Sequence, residues 1–314
     1  MSLKHIEQFL KGTNLDKCVA VVVGGTSGIG QGIAIKLASL NAKVIIAGRN
    51  AEALAPMNDK IDEFYPKAPK IEFKKVDLLE FADINRFTSD LNNSLPKIDY
   101  LILTAGIMRM GGRQDTLSGL DDKMTVHYYS KVVVIKNLIP LLQRSFGAVA
   151  VIKNLIPLLQ RSFGAGNHPK VLSVFAAGLG RMVDKNDLDL KHCYSLKNAA
   201  DACSLYNDLM VQELAKEYEN VSFIHARPGV IDTPLILKGM PWYIKPTYYL
   251  LKPFMRSPDN CASFMVHGML NAKFPGWQLL NEHGEQIEKC KDHTDENSSL
   301  VWNHTCQILG EKLK

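Results

Sequence analysis

No stretch of 18 residues in this chain is both apolar and free of charge, so no membrane-spanning helix is expected. The opening MSLKHIEQFLKG lacks the unbroken apolar core of a secretory signal, and the closing Lys-Leu-Lys matches no organelle address. The six cysteines (Cys18, Cys193, Cys203, Cys261, Cys290, Cys306) include no CxxC pair, which argues against a zinc ribbon or a compact disulfide framework. Together these absences predict a reducing, cytoplasmic setting. The histidines show no HExxH or comparable ligand spacing, so no metal is expected. The net charge is only +5, spread without a basic run, an RNP-like motif or zinc-finger spacing, and nucleic acid is not an expected partner.

What remains is a globular composition, 46% hydrophobic and 22% charged over 314 residues, enough to bury one large core. Short β-branched runs alternate with helix-period segments. Strands are predicted at Cys18–Val23, Lys43–Ala47, Ile71–Val76, Tyr100–Thr104, Lys170–Phe175 and Val221–Ala226, with a seventh candidate at Trp277–Leu280 before the turn-like Asn281–Gly284. This alternation predicts βαβ units, hence an α/β protein: a Rossmann-type doubly wound parallel sheet with helices on both faces, in one domain over residues 1–314.

Two segments break the pattern. Between Gly229 and Asp259 the periodicity dissolves into an aromatic, leucine- and proline-rich stretch, and residues 235–258 read as a lid over a substrate. The alternative is that Trp242, Tyr243, Tyr248, Tyr249, Leu250 and Leu251 pack under the sheet edge or form a subunit contact. Residues 132–165 are a tandem duplication: Val132–Ala148 is followed at once by Val149–Ala165, differing only at Val133 against Ala150. A 17-residue shift leaves a helix's apolar face about 100° short of whole turns, so two copies cannot share one face. Each copy holds a proline (Pro140, Pro157) and ends in Gly-Ala, which predicts a stop after the first and displacement of one copy as a loop or extra helix. Near-identity marks a recent in-frame duplication or an error in the source sequence; tryptic peptides of both copies in the natural protein would exclude the error.

The clearest chemical signal follows the first strand. Gly24-Gly25-Thr26-Ser27-Gly28-Ile29-Gly30 opens a predicted helix, where backbone amides and the helix N-terminus hold a pyrophosphate. Gly24 permits the tight turn, Gly28 lets phosphate approach the backbone, and Gly30 allows the helix to lie close on the sheet. Dinucleotide binding is therefore expected.

The spacing Gly-x-x-x-Gly-Ile-Gly resembles the short-chain dehydrogenase/reductase family, and landmarks continue in order over roughly Cys18 to Leu280: Gly48-Arg49, Val76-Asp77-Leu78, Thr104-Ala105-Gly106, the Tyr194 segment and Pro228-Gly229-Val230-Ile231-Asp232-Thr233. The GGTSGIG loop, the VLSV strand and Lys-Asn-Ala-Ala after the tyrosine resemble a fungal branch of that family. The resemblance implies a cofactor-binding and catalytic core at 18–234. It also implies cofactor contacts from Gly24, Thr26, Ser27, Gly28, Ile29, Gly30, Asp77, Leu78, Thr104, Ala105, Gly106, Pro228, Gly229, Ile231 and Thr233. NAD-dependent members usually carry an acid after the second strand; here stand Arg49 and Asn50, and Arg49 can pair with a 2′-phosphate, so NADP(H) is the expected cofactor.

The family's tetrad is asparagine, serine, tyrosine and a lysine four residues beyond the tyrosine. By that pattern Tyr194 is the proton-transfer residue, Asn198 stands at the lysine position with Lys197 one residue early, and Ala176 stands at the serine position. Ser173, three residues before Ala176, lies on the opposite strand face. His127 occupies the asparagine position, where it would keep the proton relay or replace it. A missing lysine charge near the tyrosine costs about 3 kcal/mol at an effective dielectric near 20, and a missing oxyanion donor about 2.7–4 kcal/mol.

The reading that results is an NADP(H)-dependent oxidoreductase moving a hydride between nicotinamide and a carbonyl or alcohol of a hydrophobic small molecule. A homo-oligomer is possible, since the helices around Val132 and Tyr194 form the family's usual oligomer contact. Its competitor is a catalytically weak NADP(H)-binding protein acting as sensor or scaffold, motivated by Ala176 and Asn198.

Overall fold

Val19–Val23 reads VAVVV and all five side chains are buried, the signature of a parallel strand covered on both faces. Around it the computed structural model describes residues 1–155, 168–240, 242–243 and 245–312. The elements in chain order are α1 (Leu3–Lys11), β1 (Val19–Val23), α2 (Gly28–Ser39), β2 (Lys43–Gly48), α3 (Leu54–Phe64), β3 (Glu72–Lys75), α4 (Phe81–Ser94), β4 (Tyr100–Leu103), α5 (Asp122–Met124), α6 (Ser130–Leu155), β5 (Lys170–Val174), α7 (Leu196–Glu217), β6 (Ser222–Ala226), α8 (Pro234–Gly239), α9 (Lys245–Leu251), α10 (Pro258–Leu270), β7 (Gly276–Leu280) and α11 (Asp295–Lys312).

The seven strands form one parallel sheet in the order β3-β2-β1-β4-β5-β6-β7. Alternate residues feed two cores. Val19, Val21 and Val23 face α4, α6 and α7, while Ala20 and Val22 face α1, α2 and α10. The order reverses at β1, which pairs β2 on one side (Val23 opposite Ala47) and β4 on the other (Val23 opposite Leu103). A crevice at the carboxyl ends of those strands is where such sheets bind ligands.

The stop predicted after Gly147-Ala148 does not occur: α6 runs from Ser130 through Pro140 and the Gly-Ala pair to Leu155. Pro140 is exposed, so the carbonyl its ring cannot satisfy meets water, and one helical glycine costs only about 1 kcal/mol. The first copy is built into the core through Val132, Val134, Ile135, Leu138, Leu141 and Leu142, and Ser145 bonds Asp99. The second copy contributes the end of α6; residues 156–165 lie outside the described residues. Deleting Val149–Ala165 leaves the four residues Gly166–Pro169 between Ala148 and β5, an ordinary helix-to-strand connection. The expected result is a cooperative melt within a few degrees of the parent; loss of folding would assign a structural role to the second copy.

The C-terminal helix α11 packs along α7. Val301 and Leu309 are buried there, the Tyr128 and Thr305 hydroxyls meet at 2.8 Å, and the Lys136 ammonium lies 5.4 Å from the Trp302 ring centroid. Among the described residues no helix is long and apolar enough to cross a membrane.

Candidate active site

At the end of β1 the chain turns through Gly24 at φ +88°, a conformation L side chains rarely adopt, and enters α2 at Gly28. A Cβ on Gly24 would stand 2.4 Å from the Ala105 nitrogen, and one on Gly30 would stand 2.3 Å from both the Gly24 oxygen and Thr104 Oγ1. Glycine is thus required by close approach of the two strand ends. Thr104 Oγ1 fastens them, donating toward the Val23 and Gly24 carbonyls, each at 3.2 Å. Ser27 is the N-cap residue of α2, but its side chain caps none of the first-turn amides, which leaves them facing the cleft.

One cleft runs along the carboxyl ends of β1, β2 and β4. It is lined by Gly24, Thr26, Ser27, Gly28, Ile29, Gly30, Arg49, Asp77, Leu78, Thr104, Ala105, Gly106 and Thr233 among the residues expected from sequence. Gly48, Val76, Leu79, Ile107, Val126 and Leu235 complete the lining; Leu79, Ile107 and Val126 carried no local signal that separates them from core residues. Asn50, Pro228, Gly229 and Ile231 stand off it: the Asn50 side-chain Oδ1 accepts from the Glu52 backbone amide, and Ile231 is buried. Arg49 is exposed at one end and has no hydrogen bond or ion pair among the described residues. The single lining carboxylate, Asp77, accepts from the Leu79 amide at 3.1 Å. At the other end Thr233 precedes α8 without using its side chain as a cap.

The expected catalytic residues are not gathered on this lining. His127 lies in a π-helical turn, Thr125–Tyr129, between α5 and α6. Its Nε2 accepts the Ile107 amide at 3.0 Å, and its ring sits 4.6 Å from that of Phe175. Burial, then the Lys131 and Lys123 charges, pushes the imidazole down to about 3, so it is neutral at working pH. With its lone pair on the Ile107 amide, His127 holds the Gly106–Ile107 wall and has no Nε2 proton to relay, in place of the relay expected from sequence.

Tyr194 precedes the helix and is not part of it, so Lys197 and Asn198 do not share a helix face with it. Ser195 is the N-cap, accepting from the Asn198 amide at 3.0 Å, and α7 begins at Leu196. Asn198 turns back to the Cys193 carbonyl, and Lys197 is exposed and ion-paired with Asp201. Among the described residues no group meets hydrogen-bond geometry with the buried Tyr194 hydroxyl, though the Asp121 carboxylate is close by. Burial and the nearby Asp121 carboxylate push it well above the usual phenol range, which keeps it protonated. The Lys123 ammonium lies 5.6 Å from the Tyr194 ring centroid.

A buried polar chain lies behind these residues. Lys131 Nζ donates to Ser173 Oγ at 3.0 Å and to the Val174 carbonyl at 3.2 Å; Ser173 donates to Asn207, whose amide donates to the His127 carbonyl at 2.9 Å. Ser173 therefore points away from the cleft, as its strand parity predicts, and Lys131 is a buried lysine that local sequence did not reveal. Burial pushes Lys131 down to about 7. Between that value and the ordinary 10.5 the unfolded chain holds a proton that the folded chain has shed, so stability rises with pH across this window. The expected slope is at most about 1.4 kcal/mol per pH unit. Lys131→Met should flatten it in urea melts between about pH 7 and pH 9; an unchanged slope would place its origin elsewhere.

Doubly wound topology, a glycine-lined crevice at the sheet's switch point and uncapped helix amides define a dinucleotide-binding α/β protein. The sequence model for short chain dehydrogenase matches residues 18–157. Oxidoreductase AN1596 of Emericella nidulans is 30% identical over 296 residues, covering 92% of this chain and 82% of the relative. Human polyprenol dehydrogenase is 27% identical, covering 93% and 85%. The Pseudomonas aeruginosa RhlG/NADP active-site complex superposes with a TM-score of 0.60 at 22% identity, covering 86% of this chain and 96% of that one. The chain belongs to the short-chain dehydrogenase/reductase family, a family of oxidoreductases.

Proposed function

We propose that the chain is an NADP(H)-dependent oxidoreductase acting on a carbonyl or secondary alcohol of a hydrophobic small molecule. The observation that carries the cofactor choice is Arg49, a guanidinium with no partner among the described residues, at a cleft end where Asp77, the only lining carboxylate among them, is already engaged. The cradle fits a dinucleotide: Gly24 and Gly30 keep clear the space beside the uncapped amides of α2, and Thr233 has a free hydroxyl for a carboxamide at the opposite end. The nicotinamide, when bound, supplies or accepts the hydride. Ile107, Val126 and Leu235 make that end apolar, which favours a hydrophobic substrate and supports the human polyprenol dehydrogenase and fungal oxidoreductases as guides to its chemistry.

Tyr194 is assigned as proton donor to the carbonyl oxygen. Held protonated by burial and Asp121, it is prepared for carbonyl reduction and poorly prepared to take a proton from an alcohol. The second reading, a binder with little turnover, has its own support: Ala176 offers no side-chain donor, Lys197 faces Asp201, and Tyr194 stands off the cleft lining. NADPH consumption with hydrophobic ketones, aldehydes and quinones separates the two. The expected result is turnover that Tyr194→Phe lowers by about 10²–10⁴-fold with NADPH affinity unchanged; tight binding with no turnover on any substrate favours the second reading.

A further inference from the structure

Among the described residues of the strap 235–258, Leu235 is the one that lines the cleft. Tyr248 is buried, and its hydroxyl bonds Asp232, pinning α9 to the body of the protein. Around that pin the large apolar side chains face outward: Phe254 is 87% exposed, Trp242 81% and Leu250 75%, with Tyr243, Tyr249 and Leu251 also exposed. Met108, which packs on Gly239, extends the same surface. Monomers rarely expose so many large apolar groups in one contiguous run.

The charges beside this surface select its partner. The strap contains Lys238, Lys245 and Lys252 and no acidic residue; the adjoining Asp232 is the carboxylate that pairs with Lys252, while Arg256 is turned inward to the Glu282 carbonyl. Tryptophan and tyrosine with aliphatic neighbours and a fringe of lysines is the composition that settles at the headgroup level of a bilayer, where rings enter the acyl boundary and ammonium groups meet phosphate. We infer that the strap is a docking surface for an anionic phospholipid bilayer. A second copy of the chain is a poorer occupant, because a two-fold contact through this strap would set its lysines against their own copies. Docking requires no turnover. Its consequence, entry of an apolar substrate from the bilayer beside Leu235, rests on the oxidoreductase reading above.

Flotation of the full chain with phosphatidylcholine vesicles, with and without phosphatidylserine, tests the surface without an activity readout. The expected result is about tenfold more bound protein when phosphatidylserine is present, lost at high salt. The double variant Trp242→Ser, Phe254→Ser should lose about tenfold with an unchanged melting temperature, since both side chains stand in solvent. Lys245→Glu should remove most of the phosphatidylserine-dependent part alone. The inference is overturned if the parent stays in the dense fraction with both vesicle types, or if the double variant floats like the parent. It is also overturned if the parent elutes as a dimer that the double variant converts to a monomer, which would give the surface to a second copy.

Discussion

Replacing Arg49 by alanine weakens NADPH binding by about 10- to 100-fold and leaves NADH binding within about twofold, the loss expected for charge-assisted hydrogen bonds to one phosphate. The asymmetry follows from position. β2 ends at Gly48, the next side chain is free of any partner among the described residues, and Asn50 beyond it is occupied with the Glu52 amide. Arg49 therefore has nothing else to lose when it is removed, and only a cofactor carrying the extra phosphate uses its fork. Arg49→Glu should go further and favour NADH, because a carboxylate there repels the phosphate and can accept from ribose hydroxyls. Calorimetric titration of both cofactors reads this directly. Equal weakening of the two would mean that Arg49 holds adenosine and does not discriminate.

Gly30→Ala has the second large effect, on the fold and the cradle together. The new Cβ would stand 2.3 Å from the Gly24 oxygen and Thr104 Oγ1, and neither neighbour has room to retreat. Gly24 is itself pressed against the Ala105 nitrogen, and Thr104 is held by the Val23 and Gly24 carbonyls. Relief must come from lifting the start of α2 off the sheet, which displaces the amides of the cradle. The expected cost is about 1–3 kcal/mol of stability, with NADPH affinity down by at least about a hundredfold. Gly310→Ala, where a Cβ meets nothing within 4 Å, is the control. Parent-like affinity in Gly30→Ala would show that the loop can breathe and would remove the steric basis of the cradle.

The sheet was legible because its signal is local and repeated. Each predicted strand appears within a residue or two of its bounds, since five-residue runs such as VAVVV and KVLSV suit no other covered element. The cradle was legible for a related reason: glycine at fixed spacing reports backbone crowding that sequence alone displays. The catalytic region was not, and Tyr194 shows why. Its direction depends on where α7 starts, and one hydrogen bond, from the Asn198 amide to Ser195 Oγ, moves that start past the tyrosine. Serine three residues before asparagine was the available hint. Lys131 lay beyond reach, because its partners, Ser173 Oγ and the Val174 carbonyl, come from a strand 42 and 43 positions away. The strap was ambiguous in sequence, a lid or apolar residues packed under the sheet edge or on another subunit, because Pro234, Pro246 and Pro253 break its periodicity; among the described residues from 235 to 258, Tyr248 is the buried anchor.

The position of α11 has a consequence for how this chain meets its own kind. The helix lies on α7 and reaches Tyr128 at the foot of α6, on elements that family resemblance marks as the usual contact between copies. A tethered segment competes for such a face at an effective concentration in the millimolar range, set by its linker and independent of how much protein is present. A second copy must first evict it. With α11 standing where a neighbour would, the expected result is a melting temperature that does not change on dilution; a fall on dilution would show that copies associate elsewhere.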